Sequence, residues 1–391
     1  MLKCGGVGGD MATLKLNPYK LQHNYRLLKD MFEKNNLDWA IVTKLLSGNE
    51  LFLEEVLKLN PKQVCDSRIS NLKKIKTLNP SIETIYIKPV PMGSVYSLLE
   101  VADISFNSEL KTLQALSDIS LRRGKKHKVI IAVELGDLRE GIMGEHILDF
   151  FWEVFGMKGI EVVGLGANLN CLNGVMPSEG KLNELSDYRD LVERKFGRKI
   201  PLISGGSSVT IPLVEKGMVP DKINHFRVGE SLFFGADLFN EGTLPEFYSD
   251  VFEVEAEILE LSLKPMTPSG DLSKNVHGDV FEIDDSHEGK MRYQGLIDIG
   301  SLDIASKYLQ PEDSNIQVVG SSSDMTVLDF PPDSAGHQVG SSVKFKASYM
   351  VVLGLMNSQY VTKSLVGSTC KDVMEVEAIF GSLLKRQPKR A

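Results

Sequence analysis

The sequence is poor in cysteine, with four in 391 residues. The cysteines are Cys4, Cys65, Cys171 and Cys370. No two of them have the Cys-x-x-Cys spacing that binds zinc or forms a redox disulfide. This pattern excludes a small disulfide-bonded scaffold and a zinc cluster, and we expect no metal site. It is typical of a reducing compartment, so we predict a cytoplasmic protein.

The sequence also lacks a long hydrophobic run. No apolar stretch approaches the roughly 18 residues of a membrane span, and the opening MLKCGGVGGDMATLKL has no apolar core of a secretion signal. We therefore expect no membrane association and interpret residues 1–10 as a flexible extension. Its GGVGG run is too short and too far from any strand to be a dinucleotide loop.

Positive charge is not concentrated anywhere along the chain. Lys and Arg number 44 against 52 Asp and Glu, which gives a net charge of -8 and a pI near 5.5. A nucleic-acid-binding protein would carry a basic stripe, so we expect no nucleic-acid partner. The segment LKRQPKR near the end is interpreted as a solvated tail.

Short apolar runs alternate with helical segments up to residue 242. The runs are WAIVTKLL, QVCDS, IETIYIK, ADISFN, KVIIAVEL, IEVVGLGAN, PLISGG and INHFRVG. Segments such as ELFLEEVLKL repeat apolar residues at helical spacing. The pattern predicts an α/β fold, with a (β/α)8 TIM barrel over residues 11–242. A doubly wound parallel sheet is the alternative.

The pattern changes after residue 242. The segments VFEVEAEILELSL, YQGLIDIG, IQVVGSSSDMTVLDF and SVKFKASYMVVLGLM are strand-like and are separated by turn residues. We predict a mainly β C-terminal domain over residues 243–368, to which residues 11–16 could add a strand. Residues 369–391 are predicted to form an amphipathic helix and a tail.

Lys44 ends the apolar run of the first barrel strand. An unpaired ammonium is costly to bury, so we expect it at the mouth of the barrel, where TIM-barrel active sites lie. A desolvated lysine loses its proton readily and can bind a carbonyl cofactor covalently. Taken alone, a lysine in this position is more often an ordinary strand-end residue.

Gly/Ser loops follow the seventh and eighth strands, each directly before a helical segment. They read Ser204-Gly-Gly-Ser207-Ser208 and Arg227-Val-Gly229-Glu230-Ser231. Backbone N–H groups at a helix start bind phosphate, and TIM barrels often bind phosphate with these two loops. Together with a strand-end lysine, the loops indicate a phosphorylated aldehyde cofactor, pyridoxal 5'-phosphate (PLP).

The chain resembles the fold type III PLP enzymes related to alanine racemase, and within them the bacterial ornithine and lysine racemases. The similar segments are DSRISNLKKIK, ADISFNSELKTLQAL, VIIAVELGDLREG, LISGGSSVTIPLVEKG and FRVGESLFFG, with SSSDM and SQYV in the β domain. They cover about residues 11–365. The resemblance implies a homodimeric, PLP-dependent racemase of a basic amino acid such as ornithine, lysine or arginine.

The resemblance also implies roles for individual residues. Lys44 matches the lysine that holds PLP and transfers one of two protons, and Arg227 matches the arginine that faces the pyridine nitrogen. A guanidinium cannot give up its proton, so it leaves that nitrogen unprotonated, which favours racemisation over transamination. The other cofactor-binding positions are Arg139 at the phenolic oxygen, Asn168 beside the ring, Ser207, Ser208, Gly229 and Glu230 at the phosphate, and Tyr360 over it.

The sequence departs from the family at the second proton-transfer residue. Alanine racemase uses a tyrosine from the partner's β domain in an Ile-Gly-Tyr-x-Asp segment, whereas this chain has Ser301 there. Because a serine hydroxyl is a very weak acid, we consider Cys171, Tyr349 and Asp303 as substitutes. Asp303 and Asp324 lie on β-domain loops and are also candidate substrate ligands. Glu134, Asp137 and Glu140 are expected to pair with Arg139 or to shape its loop.

Three rival functions share parts of this pattern. A fold III decarboxylase would carry a Cys-Glu-Ser-Gly-Asp type segment in its β domain, which this sequence lacks. A D-amino-acid lyase or aldolase would bring a closely spaced His and Cys for a metal, which are also missing. A PLP homeostasis protein is a single barrel, and the domain after residue 242 argues against it.

Overall fold

The structure is a computed structural model that describes residues 12–274, 278, 280–282, 284–331 and 336–367. The extension at 1–10, the helix and tail predicted at 369–391, Cys4 and Cys370 lie outside the described residues. The chain divides into two compact units, Tyr19–Val251 and, in the described residues, 12–18 with 252–367. No described helix is both long and apolar enough to cross a bilayer.

The first unit is a closed barrel of eight parallel strands. The barrel closes because the first of these strands pairs with the last, from Asp38↔His225 to Ile41↔Val228. This closure confirms the TIM barrel and rules out the doubly wound sheet. Numbered after β1 (Ala12–Leu16), the barrel strands are β2 (Asp38–Val42), β3 (Gln63–Asp66), β4 (Glu83–Tyr86), β5 (Ile104–Asn107), β6 (His127–Ala132), β7 (Ile160–Gly166), β8 (Leu202–Ser204) and β9 (His225–Val228).

Amphipathic helices surround the barrel strands. Each buries one apolar stripe, as Leu21, Leu28 and Phe32 do in the first. Inside the barrel, small and branched side chains such as Ala40, Val42 and Ile85 form the core. The helices are α1 (Pro18–Lys34), α2 (Glu50–Lys58), α3 (Ile69–Leu78), α4 (Val95–Val101), α5 (Leu110–Arg122), α6 (Ile147–Gly156), α7 (Glu179–Phe196), α8 (Ile211–Glu215) and α9 (Glu230–Phe234).

A short hairpin, β10 (Ala236–Asp237) with β11 (Gly242–Thr243), follows the last barrel helix. It belongs to the first unit, which continues to Val251, whereas the sequence-based limit was residue 242. The pairing of β10 with β11 ties the residues after Gly242 to the end of the barrel.

The second unit is built on one mainly antiparallel sheet of seven strands, in the order β14-β15-β13-β12-β1-β17 with β16 paired to β12. Strand β1 joins it by antiparallel pairing with β12 and parallel pairing with β17. The strands are β12 (Phe252–Pro265), β13 (Met291–Ile297), β14 (Gln317–Ser321), β15 (Thr326–Phe330), β16 (Ser342–Phe345) and β17 (Thr362–Leu365), with one helix, α10 (Tyr349–Asn357).

The helix α10 corrects one sequence-based prediction. The segment SVKFKASYMVVLGLM was predicted to be strand throughout, but the strand ends at Phe345. Ser348 caps the helix, because its side chain accepts a hydrogen bond from the N–H of Val351. Val351, Val352 and Leu355 are buried at helical spacing, which a β-rich composition concealed.

Candidate active site

Lys44 lies at the carboxyl end of β2, as the first residue of a 3-10 turn. The residue before it, Thr43, is fully buried, and its hydroxyl donates to Asp66 Oδ2 at 2.9 Å. This bond ties the end of β2 to the end of β3. It leaves Lys44 exposed at the barrel mouth, where a ligand can reach its amine.

The loops after β8 and β9 are joined at Ser208. This side chain is buried, and its Oγ accepts from the N–H of Gly229 at 3.2 Å and of Ser231 at 3.1 Å. Ser207 precedes it and is half-buried at the start of a 3-10 turn. Because Ser208 Oγ accepts both bonds, its own hydrogen remains to donate, as a phosphate ligand requires.

Glycines keep this place open. Gly206 has a φ of +141°, and a Cβ there would lie 2.4 Å from Thr210 Oγ1. That hydroxyl is buried and has no hydrogen-bond partner among the described residues. At Gly229 a Cβ would lie 3.2 Å from the Val42 carbonyl oxygen. The Thr210 hydroxyl could donate a hydrogen bond to a phosphate group of a bound cofactor, and the absence of a Cβ at Gly206 and Gly229 leaves space for that group.

Lys44 shares the edge of the barrel with these loops. Burial raises the pKa of Glu230, and the positive charge of Lys44 acts against that rise. The two residues follow β2 and β9, which are neighbours in the barrel. The structure thus brings the predicted lysine and the predicted phosphate loops together.

Arg227 points into the barrel interior. Its guanidinium donates to Ser204 Oγ and to the carbonyl oxygen of Ala167 at 2.7 Å, and it lies 4.7 Å from the centre of the Phe106 ring. Burial lowers its pKa, but a guanidinium remains charged in proteins. A charged donor is therefore held in place below the barrel mouth.

The residues that hold Arg227 in place were not predicted from the sequence. His225 accepts at Nδ1 from Ser204 Oγ, 2.9 Å away, and donates from Nε2 to Gln63 Oε1 at 3.0 Å. Burial lowers the pKa of His225 to about 3, so it is neutral, and this tautomer lets Ser204 accept from Arg227. The signal was present, because His225 and Arg227 are two residues apart on a strand and so share its inner face.

Arg139 and Asn168 meet across the loops that follow β6 and β7. Arg139 forms an ion pair with Glu140, and this hydrogen bond raises the pKa of the arginine. With the amide of Asn168 oriented so that its oxygen faces Arg139, that oxygen accepts from Nη1 at 3.0 Å and from Nη2 at 2.6 Å. Glu140 therefore pairs with Arg139, as expected.

The other two acidic residues of this segment shape the loops. Glu134 accepts from the N–H of Gly136 and Leu138, and Asp137 accepts from the loop that carries Cys171. Cys171 itself is exposed, with its Sγ 3.5 Å from the carbonyl oxygen of Leu169. The remaining barrel cysteine, Cys65, is buried, and burial raises its pKa to about 12.

Two loops of the second unit pack against each other around Gly300. A Cβ at Gly300 would lie 2.2 Å from the carbonyl oxygen of Ser323, and the N–H of Ser301 donates to the carbonyl oxygen of Ser322 at 2.9 Å. Ser301, which the resemblance assigns to the family tyrosine position, is thereby placed beside the loop of Asp324. The structure brings these two predicted residues together.

The candidate substrate aspartates differ in what they already contact. Asp303 accepts from the N–H of Gly300 at 3.1 Å and from the Ser358 hydroxyl at 2.5 Å, so its carboxylate braces the loop. Asp324 is exposed. Tyr349 is half-buried as the first residue of α10, and Tyr360 is exposed before β17. No cluster of metal-binding side chains occurs in the described part of the chain.

Comparison with known proteins establishes the family. A profile described as the N-terminal domain of alanine racemase matches residues 16–237, more than half of the chain. The chain belongs to the alanine racemase N-terminal domain family. The matched residues of this family member contain all eight barrel strands and both Gly/Ser loops.

Individual relatives in the family extend over both units. The chain is 33% identical to ornithine racemase of Acetoanaerobium sticklandii, over 90% of this chain and 99% of the relative. It is 28% identical to lysine racemase of Thermotoga maritima, over 90% and 97%. Its fold is shared with alanine racemase of Bartonella henselae, solved with covalently bound pyridoxal phosphate, at a TM-score of 0.69 and 14% identity over 91% of this chain and 99% of that chain.

Proposed function

We propose that this chain is a PLP-dependent racemase of a free basic amino acid, with ornithine and lysine as the first candidates. The observation that carries the proposal is the 33% identity to an ornithine racemase over nearly the whole of both chains. The site supports it, because Lys44, Glu230 and the two Gly/Ser loops meet at the barrel mouth.

PLP, when bound, draws electrons from the amino acid and makes its Cα hydrogen acidic. Lys44 would hold the cofactor and move a proton on one side of Cα. Ser207 and Ser208 would bind the phosphate through their hydroxyls and Glu230 through its N–H. Gly229 would turn its N–H to the phosphate from Ser208 Oγ, which accepts it at 3.2 Å. Tyr360 would cover that phosphate.

The charged residues would hold the cofactor ring in position. Arg227 would donate a hydrogen bond at the pyridine nitrogen and, being unable to release its proton, would leave that nitrogen unprotonated. Arg139 would donate to the phenolic oxygen, and Asn168 would lie beside the ring. The orientation of Arg227 is supported by its bonds to Ser204 and Ala167.

Racemisation needs a second proton carrier on the opposite side of Cα. The hydroxyl of Ser301 hydrogen-bonds to the hydroxyl of Ser321 at 2.9 Å, which is not a base that could activate it. We propose two alternatives for this second carrier, Cys171 in the barrel unit and Tyr349 in the second unit. We further propose that the protein acts in the cytoplasm as a homodimer.

The experiment combines cofactor trapping with a chiral assay. The protein with PLP, treated with borohydride, should carry the reduced cofactor on Lys44, and incubation with L-ornithine or L-lysine should yield the D enantiomer. Lys44→Ala should lower turnover by at least about a thousandfold, the scale of acid–base catalysis, while the fold remains because Lys44 is exposed. An adduct on another lysine would refute the site, and absent D product would refute the activity.

A second experiment tests the preference for a basic side chain. A buried distal ammonium needs a carboxylate, and we propose Asp324, because Asp303 already accepts two hydrogen bonds. Asp324 is exposed in the single chain, and we propose that the bound substrate and the partner subunit bury its carboxylate. Asp324→Asn should then cost about 2–4 kcal/mol of transition-state stabilisation for lysine and ornithine, and much less for alanine. Asp303→Asn is the matched control and should lower activity on all substrates alike. Equal losses for lysine and alanine in Asp324→Asn would contradict the assignment.

A further inference from the structure

The loop between β7 and α7 is attached to the β6 loop through one buried carboxylate. Asp137 is fully buried. Its Oδ2 accepts from the N–H of Cys171 at 3.0 Å and of Leu172 at 2.9 Å, and its Oδ1 accepts from the N–H of Asn173 at 3.1 Å and of Val175 at 3.2 Å. A single side chain thus accepts hydrogen bonds from four N–H groups within residues 171–175, a loop more than thirty positions away.

The charge state of Asp137 suits this arrangement. Burial of the carboxyl raises its pKa, but the backbone N–H donors of the loop lower it further, so that the pKa lies below its usual value. Bonds from N–H groups to an ionised acceptor are stronger than those between neutral groups. The loop is therefore held by charge-assisted bonds, and these require the carboxylate rather than a neutral side chain.

The same loop is held at its other end by Arg139. Asn168 begins the loop and accepts from both terminal nitrogens of Arg139, which is two residues after Asp137. Within the loop, the N–H of Asn170 donates to the Val175 carbonyl oxygen at 2.9 Å, so the turn is closed on itself. Asn173 Nδ2 adds a bond to the Asp137 carbonyl oxygen at 2.8 Å.

We infer that Asp137 is a positioning residue, which fixes the β7–α7 loop so that Asn168 and Cys171 are held beside Arg139. It acts through the loop and need not touch the cofactor or the substrate. The inference rests on the proposed function, because it assigns consequences to Arg139 and Asn168 as cofactor contacts. Misplacing such contacts by about 1 Å can cost on the order of a hundredfold in rate.

The test compares Asp137→Asn with Glu193→Gln in the 391-residue chain. Asparagine keeps the shape but loses the charge and one acceptor oxygen. Glu193 is the control, because it also accepts a backbone N–H, from Ile200 at 2.7 Å, but at the opposite end of the barrel, between α7 and β8. Both variants lose a carboxylate that holds a loop, and thermal unfolding of each variant measures its loss of stability separately from its PLP affinity.

Three readouts separate positioning from stability. Asp137→Asn should speed amide hydrogen exchange in residues 171–175, weaken PLP binding about 10- to 100-fold, and lower kcat more than it raises KM. Glu193→Gln should leave PLP affinity within about twofold of wild type, since no cofactor contact depends on it. PLP affinity is followed by the visible absorption of the bound cofactor.

A second variant covers the case in which Asp137→Asn does not fold. Asn173→Ala removes the bond to the Asp137 carbonyl oxygen from an exposed side chain, and it should weaken PLP binding in the same direction by a smaller factor. If each of Asp137→Asn and Asn173→Ala that folds binds PLP with wild-type affinity, the inference is overturned, whereas the racemase proposal is unaffected. A wild-type protein that binds no PLP would instead refute the proposed function, whatever the exchange data show.

Discussion

Burial changes the chemistry of individual histidines in the barrel. His127 begins β6, and its Nε2 lies 2.8 Å from Ser105 Oγ. Burial lowers its pKa to about 4, although the charge of Asp103 acts the other way. In the unfolded chain the pKa of a histidine is about 6.5, so between about pH 4 and pH 6.5 the unfolded state binds a proton that the folded state does not bind. The contribution of neutral His127 to the free energy of unfolding is therefore complete above about pH 6.5 and is lost as the pH falls toward 4.

This difference predicts a pH-dependent stability. Between pH 7 and pH 4.5, His127 should remove up to about 3 kcal/mol from the free energy of unfolding. His127→Gln should therefore reduce the shift of the urea midpoint between these two pH values. His146→Gln is the control, since that side chain is exposed. An unchanged midpoint shift in His127→Gln would show that the buried imidazole is not the cause.

At the scale of elements, loops are placed by close backbone contact as well as by hydrogen bonds. The loop after β13 lies on the loop between β14 and β15, and the hydroxyl of Thr326 donates to the Ile299 carbonyl oxygen at 2.6 Å. Only a residue without a Cβ fits at Gly300, because Ser323 and Asp324 occupy that space. This contact determines where Ser301 and Asp324 stand relative to each other.

The contact predicts a specific sensitivity to substitution. Gly300→Ala should destabilise the second unit by about 1–3 kcal/mol, because the backbone must shift to relieve overpacking, and thermal unfolding measures this. The same change at Gly320 in β14 is the control, since a Cβ there would meet nothing within 4 Å. If both alanine variants unfold at the same temperature, the loop contact contributes nothing to stability.

At the scale of the whole molecule, the proposed homodimer is tested through an exposed apolar side chain. Leu302 is 62% exposed and lies between Ser301 and Asp303, and we propose that the partner subunit covers it in the homodimer. Sedimentation should give twice the 43.3 kDa mass of one chain. Leu302→Asp should raise the dimer dissociation constant at least about tenfold, since a charge would be buried.

The control for this prediction is Leu263→Asp on β12, where the side chain is 52% exposed. It introduces the same charge on the same unit but away from the loops that carry Ser301 and Asp324, so sedimentation should still give the dimer mass. Activity per chain should fall on dilution in Leu302→Asp and not in Leu263→Asp. A wild-type protein that sediments as a fully active monomer would refute the dimer.

Local periodicity predicted the alternating strands and helices, the strands of the β domain and the position of Lys44, whereas the pairing of β2 with β9 decided between a closed barrel and a doubly wound sheet. The spacing of apolar residues in strands and helices depends on residues that are close in the chain. A short segment is therefore enough to predict where a strand ends. The same reasoning failed after Phe345, where β-rich composition concealed the helix α10. There, a capping serine and helical burial outweighed residue preference.

Only the tertiary structure decided how the strand ends act together. The bonds from Asp137 to the loop at Cys171, from His225 through Ser204 to Arg227, and from Asp303 to Ser358 join residues distant in the chain. Their geometry depends on barrel closure and loop packing. The sequence around a carboxylate does not indicate which backbone N–H groups will donate hydrogen bonds to it. For this reason Asp137 could be expected to shape its loop, whereas its partners could be known only once β6 and β7 lay side by side.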